Sequence, residues 1–439
     1  MLLQSLPDAL RWLLLFVIGT SGGALINLCI YRLAFYVNRK ISPWSTAPDP
    51  QRPRTFIDYL PVVGWLFLRR ESDLFGRGFW VRPLLIELGF GVGLAWFWEW
   101  NVQGGLYGGT ATTIASAQIP LVANWNYGWF AFHSLLIALM LIATFIDFDE
   151  QLIPDWITVP GCIAALLTHV AFPNVRLPFT EPDMLATRLG FLDYWSPGLE
   201  TTWHETSLGL TVGISIVLAW YFLLLPKTLT WKFGARRGLQ LMVASILRPR
   251  RLTKSRINRT TDRQMFQETK VQSVLVLGLI AMCICVYLLG GIRWTALFDA
   301  LLGMAMGGGI IWAVRIIASA AIGEEAMGLG DVTLMAMIGA FLGWQAALLT
   351  FVLAPFASIL VAVGQMISKR ENRLAFGPYL CLAAMVVLIG WDFIWNRAAA
   401  EGVFAVGGAY LTILIFVCLG LMAIMLSGWR FLKNQFQKA

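Results

Sequence analysis

The chain alternates long apolar runs with short polar connections, and this pattern predicts membrane helices. A membrane-spanning helix needs about 20 consecutive, mostly apolar residues. Runs that reach or approach this length begin near Leu10, Pro83, Trp129, Asp155, Ser207, Val271, Ala296, Asp331, Ala346, Gly377 and Val403. The run after Asp331 is interrupted early by the Gly-Trp-Gln at 343–345. The pattern predicts an all-α polytopic membrane protein with about eleven transmembrane helices.

Composition supports the same class of protein. Hydrophobic residues make up 58% of the 439-residue chain and charged residues 13%, whereas an ordinary soluble domain carries about 25% charge. The six cysteines all lie in apolar runs and form no CxxC pair. They are predicted to be small buried packing residues rather than a disulfide framework.

The distribution of charge predicts the orientation of the helices. Residues 32–82 hold nine Lys and Arg, whereas residues 103–127 hold no charged residue. Cytoplasmic loops carry an excess of Lys and Arg, so the first loop is predicted to be cytoplasmic and the N-terminus outside. Alternation then places 174–205 outside and 227–270, with twelve Lys and Arg against two acids, inside. The first run lacks a basic n-region and a cleavage pattern, which indicates a retained anchor.

Together the runs and charges predict six regions. They are a first membrane span (1–33), a small basic cytoplasmic domain (34–82), a membrane region with a first acid (83–225), a basic cytoplasmic insertion (226–270), a membrane region with a second acid (271–429) and a basic cytoplasmic tail (430–439). The insertion is expected to touch anionic lipid headgroups, with docking to a protein partner as the alternative. It lacks the interleaved aromatic residues of a nucleic-acid site, so no nucleic-acid partner is predicted.

Two acids stand at the ends of apolar runs on the predicted cytoplasmic side. Asp147 closes one run, and Asp331 opens another directly after the Gly-Leu-Gly at 328–330. A charge at a membrane boundary is a candidate functional residue. Two carboxylates that share a proton can hydrolyse a peptide bond, because one accepts a proton from water while the other hydrogen-bonds the scissile carbonyl. The two acids are therefore predicted to meet through helix packing as a catalytic pair.

Motifs around these acids resemble a known family. Asp147 with the Ile-Pro-Asp at 153–155, and Glu-Ala-Met-Gly-Leu-Gly-Asp at 325–331, resemble the paired signature of the type IV prepilin peptidases, bifunctional leader peptidases of the GxGD aspartyl protease group. Residues 19–33, 59–88 and the Phe-Gly-Pro-Tyr at 376–379 resemble three further stretches of that family. The resemblance implies that Asp147 and Asp331 are catalytic. Its supporting motif residues are Gly328, Gly330, Glu325, Pro154 and Asp155. Asp155 is alternatively a helix-start residue.

The resemblance also implies a function. It is removal of the leader peptide from type IV prepilins or pseudopilins at the cytoplasmic face of the bacterial inner membrane, with no cofactor for proteolysis. Pilus or secretion assembly proteins and membrane lipid are the implied partners. N-methylation of the new N-terminus with S-adenosylmethionine is the second implied activity. Arg82 and Glu87 match the stretch that the family retains there, and helix-boundary anchoring is the alternative for both.

The chain departs from the family in two places. Residues 34–82 lack the cysteine tetrad that many members carry as a structural zinc site, so no metal site is predicted and the methyltransferase activity stays open. His133, His169 and His204 do not supply replacement ligands and are predicted to be packed polar residues. Thr333 stands where the family leads us to expect lysine.

Two other functions remain as alternatives. A proton- or cation-coupled transporter would use Asp147 and Asp331 as a relay, and an inactive scaffold of the pilus or secretion machinery would use neither. The transporter predicts acids deep within the spans and an inverted repeat, and the sequence shows neither feature. The presence of both acids argues against the scaffold.

Overall fold

A computed structural model of the chain describes its helices, loops and side chains in eight stretches. They are residues 5–34, 53–102, 119–182, 187–192, 203–224, 261–322, 327–367 and 376–397, with a few isolated residues elsewhere. Most of the basic insertion, the basic tail and nearly all of the run predicted near Val403 lie outside these stretches.

Helices form almost all of the described structure. They are α1 (Asp8–Leu33), α2 (Val63–Leu68), α3 (Ser72–Phe75), α4 (Val81–Val102), α5 (Ile119–Glu150), α6 (Asp155–Ala171), α7 (Ser207–Leu224), α8 (Thr261–Leu289), α9 (Gly291–Ile322), α10 (Leu329–Ile367) and α11 (Gly377–Ile389). One antiparallel hairpin pairs β1 (Pro178–Pro182) with β2 (Thr187–Phe191). Short 3₁₀ turns and a π-helical turn at Phe393–Arg397 complete the described elements.

Seven helices within the described stretches are long and apolar enough to cross a membrane, namely α1, α4, α5, α7, α8, α9 and α10. The apolar helices α6 and α11 are shorter, with 17 and 13 residues. The protein is therefore a multi-pass membrane protein, and the predicted all-α polytopic fold is confirmed. The predicted number of about eleven spans stays a prediction.

Glycines allow the closest approaches between helices. A Cβ added to Gly19 of α1 would lie 2.7 Å from the Cα of Gly91 in α4, and one added to Gly23 would lie 2.6 Å from the Cα of Glu87. Gly303 of α9 likewise lies directly against the backbone of Gly339 in α10. Small residues of this kind let membrane helices pack with their backbones in contact.

Helix α10 is broken in its middle. Gly343 adopts φ 83° and ψ 169°, so two apolar runs that the sequence separates, near Asp331 and Ala346, form one element with a break between them. The break lies beside Asp299, whose Oδ2 would be 3.4 Å from a Cβ at Gly343. Arg176, outside the helices, supplies positive charge near Asp299; burial lowers the pKa of Arg176 and Asp299 opposes that shift.

Two ion pairs hold together the segment that lacks the cysteine tetrad. Arg54 contacts Glu71 through Nε at 3.1 Å and Nη2 at 2.8 Å, and these side chains are only 2% and 1% exposed. Arg70 donates to the buried Asp58 at 2.6 Å. Buried Arg–carboxylate pairs with two parallel hydrogen bonds fix geometry strongly. The charges counted above as a cytoplasmic signal thus also connect residues 53–80 internally.

We expect Glu71→Gln to destabilise this segment without any involvement of metal. Loss of one partner of a buried ion pair costs about 3–5 kcal/mol, so the purified protein should unfold at a lower temperature and residues 53–80 should become sensitive to protease. Asp73→Asn, at an exposed position of the same segment, is the matched control. If a chelator lowers the unfolding temperature of the parent protein as much as Glu71→Gln does, a metal rather than the ion pair holds the segment.

Candidate active site

Asp147 lies in the last turn of α5, where the helix stops abruptly. The backbone N–H of Gln151 donates to the carbonyl of Asp147 at 2.9 Å, and Gln151 has a positive φ of 54° that turns the chain away from the helix axis. Pro154 then precedes the first residue of α6. The end of one helix and the start of the next therefore surround the Asp147 side chain.

Asp331 lies in the first turn of α10, and glycine brings this turn against the loop that follows Asp147. A Cβ at Gly330 would lie 2.9 Å from the Cβ of Ile153 and 3.1 Å from its carbonyl oxygen. Gly330 therefore packs directly on the backbone of the Ile-Pro-Asp motif. Arg315 of α9 fixes the preceding residues, because its Nε donates to the carbonyl of Met327 at 2.8 Å.

The start of α11 contacts the Asp147 carboxylate. The backbone N–H of Gly377 donates to Asp147 Oδ2 at 3.1 Å. A Cβ at Gly377 would lie only 2.6 Å from that oxygen, so glycine makes room for the carboxylate. A helix N-terminus carries free N–H groups and a positive dipole end, which favour an anion. Gly328 lies beside Asp331, because a Cβ at Gly328 would be 3.7 Å from Asp331 Oδ2.

The two carboxylates form one electrostatic unit. Asp147 is 5% exposed and Asp331 is 9% exposed, and Ile153 packs both on Gly330, next to Asp331, and on Gly377, which contacts Asp147. Two ionised carboxylates in so dry a place repel each other strongly, whereas a pair that shares one proton does not. The arrangement can thus supply one general base and one general acid side by side.

Cys381 was assigned no role at the site by the sequence analysis. It lies in α11, four residues after Gly377, whose N–H donates to Asp147. Cys381 was predicted to be a packing residue, and it is buried. Its position beside the acids depends on contacts between distant helices, which local pattern does not reveal.

The other predicted motif residues have distinct surroundings. Pro154 is buried between α5 and α6, whereas Asp155 is exposed at the start of α6. Glu325 lies outside the described residues. Thr333 is buried, and its hydroxyl donates to the carbonyl of Gly330 at 3.1 Å, so it supports the turn before Asp331.

Glu87 lies in the protein interior with both of its carboxylate oxygens hydrogen-bonded. Oε1 accepts from Trp65 Nε1 at 2.8 Å and from Asn27 Nδ2 at 3.1 Å, and Oε2 accepts from the Val62 N–H at 2.6 Å. The side chain is fully buried. These contacts connect α1, α2 and α4, which favours the anchoring interpretation over contact with a methyl donor.

Arg82 contacts the helix end that carries Asp147. Its Nη1 lies 2.8 and 2.9 Å from the two oxygens of Asp149, and its Nη2 donates to the carbonyl of Phe145 at 3.2 Å. The guanidinium also lies over the Phe145 ring, 4.8 Å from its centroid. Arg82 therefore holds residues on both sides of Asp147. The possible role of Arg82 and Glu87 in methylation stays a prediction.

No group of three or more His, Cys, Asp and Glu side chains suited to a metal occurs among the described residues. The histidines make local contacts: His133 and His169 each hydrogen-bond through Nδ1 to the carbonyl four residues earlier, and His204 lies 3.2 Å from Thr295 Oγ1. All three are buried. These contacts agree with the prediction of packed polar residues.

Comparison with known proteins identifies the family that these motifs resemble. Residues 266–363, which include Asp331 but not Asp147, match the type IV leader peptidase family. The resemblance found in the sequence is confirmed. No solved structure gives a significant match.

Curated relatives carry the name prepilin leader peptidase/N-methyltransferase. The Pseudomonas putida protein is 31% identical over 175 residues, which are 39% of this chain and 57% of the relative. The Pseudomonas aeruginosa protein is 30% identical over 187 residues, 42% of this chain and 56% of the relative. The Klebsiella pneumoniae protein is 27% identical over 187 residues, 42% of this chain and 71% of the relative. The match to the two Pseudomonas relatives thus spans little more than half of their length.

We expect Gly377→Ala to disable the pair while leaving the fold intact. The added methyl group would occupy the place of Asp147 Oδ2, and displacement of a catalytic group by about 1 Å can cost on the order of 100-fold in rate. The measurement is peptidase activity of the purified variant toward a prepilin.

Gly309→Ala is the matched control, because a Cβ at Gly309 of α9 would meet no atom within 4 Å. It should keep the parent activity. Parent activity in Gly377→Ala as well would show that the Asp147 carboxylate tolerates displacement and that this contact is not part of the site.

Proposed function

We propose that this protein is a membrane aspartyl endopeptidase whose catalytic pair is Asp147 and Asp331. One observation carries the proposal: two buried carboxylates from helices far apart in sequence lie on either side of Ile153, which packs on Gly330 beside Asp331 and on Gly377 beside Asp147. The loop after the first acid packs on the glycine before the second. Both acids thus belong to one compact arrangement built from the motifs of the leader peptidases.

The chemistry follows from a pair that holds one proton. The ionised carboxylate accepts a proton from water, and the water oxygen attacks the scissile carbonyl carbon while the protonated carboxyl hydrogen-bonds the carbonyl oxygen. The tetrahedral intermediate then breaks the C–N bond as the leaving nitrogen takes a proton. The Gly377 N–H supplies a hydrogen bond that holds the Asp147 carboxyl group in place.

The proposed substrates are type IV prepilins or pseudopilins, because the chain is similar to proteins named prepilin leader peptidase/N-methyltransferase. The proposed location is the bacterial inner membrane with the acids at its cytoplasmic face, and pilus or secretion assembly proteins are the proposed partners. We further propose the six regions inferred from the sequence, with the motif residues Gly328, Gly330, Glu325, Pro154 and Asp155 supporting the pair.

The positions of the acids favour hydrolysis over transport. Asp147 is three residues from the end of α5, and Asp331 is the third residue of α10. A relay for protons or cations needs acids along the depth of the membrane, whereas a protease that acts at the membrane surface needs them at helix ends. The pair matches the second requirement.

We expect Asp147→Asn and Asp331→Asn each to reduce cleavage of a prepilin by on the order of 10⁴-fold, because asparagine keeps the size of aspartate but neither ionises nor shares the proton. The double variant should be no slower than either single variant, since the residues act as a unit. Cleavage is read as the mass of the product released by purified protein in detergent.

Asp155→Asn is the control. Asp155 is exposed at the start of α6, where its supporting role is to begin the helix and not to take part in the chemistry, so the variant should keep substantial activity. Full cleavage by Asp331→Asn would contradict the aspartyl mechanism. Independent losses that multiply in the double variant would show that the acids act separately.

Methylation is tested in the same reaction with S-adenosylmethionine. If the second activity of the relatives is present, the cleaved product gains the mass of one methyl group. Glu87→Gln should then lower both the unfolding temperature of the protein and the amount of methylated product. Loss of methylation by Glu87→Gln at an unchanged unfolding temperature would contradict the anchoring role of Glu87.

A further inference from the structure

The short helix α2 lies level with the interior of the first two membrane spans. Glu87 is six residues after Val81, the first residue of α4, which is about 9 Å along a helix that rises 1.5 Å per residue. The Val62 N–H and Trp65 Nε1 both donate to Glu87. The start of α2 is therefore held beside the first two turns of α4 rather than beyond the helix end.

Helix α1 contacts the same part of α4. Asn27 is six residues before Leu33, the last residue of α1, and its Nδ2 donates to Glu87 at 3.1 Å and to the carbonyl of Pro83 at 3.0 Å. Charged side chains bracket the apolar part of α4, because Arg82 is its second residue and Glu99 pairs with Arg11 of α1. Arg82 and Glu99 are 17 residues apart, a rise of about 26 Å, which is close to the 30 Å thickness of a bilayer core. Glu87 is the one charged residue between them.

The two faces of α2 differ sharply in their surroundings. Gly64, Trp65 and Leu68 are buried on one face. Leu66 and Phe67, with Val63, lie on the opposite face and are 52%, 49% and 40% exposed. Leu85 on α4, two residues from Glu87, is 61% exposed in the same way. Water does not reach this depth of a bilayer, so an apolar face here needs an apolar neighbour.

We propose that α2 is an interfacial membrane helix whose Val63–Leu66–Phe67 face lies among the acyl chains of the leaflet at the Val81 end of the bundle. The occupant is bilayer lipid, because the hydrogen bonds to Glu87 set the depth and the neighbouring spans already face lipid there. The arginines that follow α2 fit the headgroup level. Arg69 lies over the Trp80 ring at 5.7 Å and Arg70 pairs with Asp58, as long basic side chains do at an interface.

The segment predicted as a small cytoplasmic domain is, on this proposal, partly embedded. Unlike a soluble domain joined by linkers, the segment would contact, through the apolar face of α2, the same leaflet as the ends of α4 and α5. Contact of α2 with lipid is a matter of membrane attachment, so it does not depend on the peptidase proposal.

The test uses the full-length protein in nanodiscs of defined phospholipid, with no other protein present. An environment-sensitive fluorescent amino acid replaces Phe67 in one protein and Asp73, which is exposed one turn beyond α2, in the control. Emission is quenched either by lipid that carries a nitroxide on its acyl chain or by aqueous iodide. We expect nitroxide lipid to quench the reporter at Phe67 more than iodide does, and the order to reverse at Asp73.

Two outcomes would overturn the proposal. Iodide quenching at Phe67 as strong as that at Asp73 would place this face in water. Quenching by neither reagent would show that protein covers it, either another part of this chain or a second copy. A reporter at Leu66 repeats the measurement on the same face, so failure of one labelled protein to fold does not leave the question open.

Discussion

Two buried carboxylates, Asp147 and Asp331, must be stabilised almost without water, and the helix ends around them are arranged accordingly. A buried charge is costly unless it is hydrogen-bonded or neutralised. The structure meets this need with helix N-termini: the start of α11 faces Asp147 through the Gly377 N–H, and Asp331 itself lies in the first turn of α10. Close approach of the backbone explains two glycines at this end. A Cβ at position 377 would meet the Asp147 carboxylate, and one at position 330 would meet Ile153 in the loop after Asp147.

Features that depend on local sequence could be predicted. Apolar runs gave the helices, because backbone groups in lipid are satisfied within a helix. The acids were found because a charge at the end of an apolar run is rare, and the surrounding motifs pointed to a family that comparison supports. Features that depend on packing could not be predicted in this way. Gly377 and Asp147 are 230 positions apart, and nothing near either residue indicates the hydrogen bond. The break of α10 at Gly343 was visible only as an interruption of hydrophobicity.

Counting charges predicts orientation but not ion pairs. The basic residues in 32–82 were counted as a sign of a cytoplasmic loop, and such a count treats every basic residue as solvated and equivalent. The structure instead pairs Arg54 and Arg70 with buried acids. A segment this small buries little apolar surface, so it commonly relies on metal or disulfide cross-links. Here the two buried ion pairs and the hydrogen bonds to Glu87 take the place of such cross-links. The segment can therefore retain its structure without the cysteine tetrad.

The stretch that begins at Arg82 connects this segment to the candidate active site. Glu87 holds α2 against α1 and α4, and five residues earlier Arg82 holds Asp149 and the Phe145 carbonyl on either side of Asp147. A single turn and a half of α4 therefore fixes both the embedded segment and the last turn of α5. Movement of the segment relative to the bundle would be transmitted to the helix end that carries Asp147, because packed helices shift as rigid units rather than bending. Residues 82–87 therefore fix the position of the segment at 53–80 and of the helix end that carries Asp147 together.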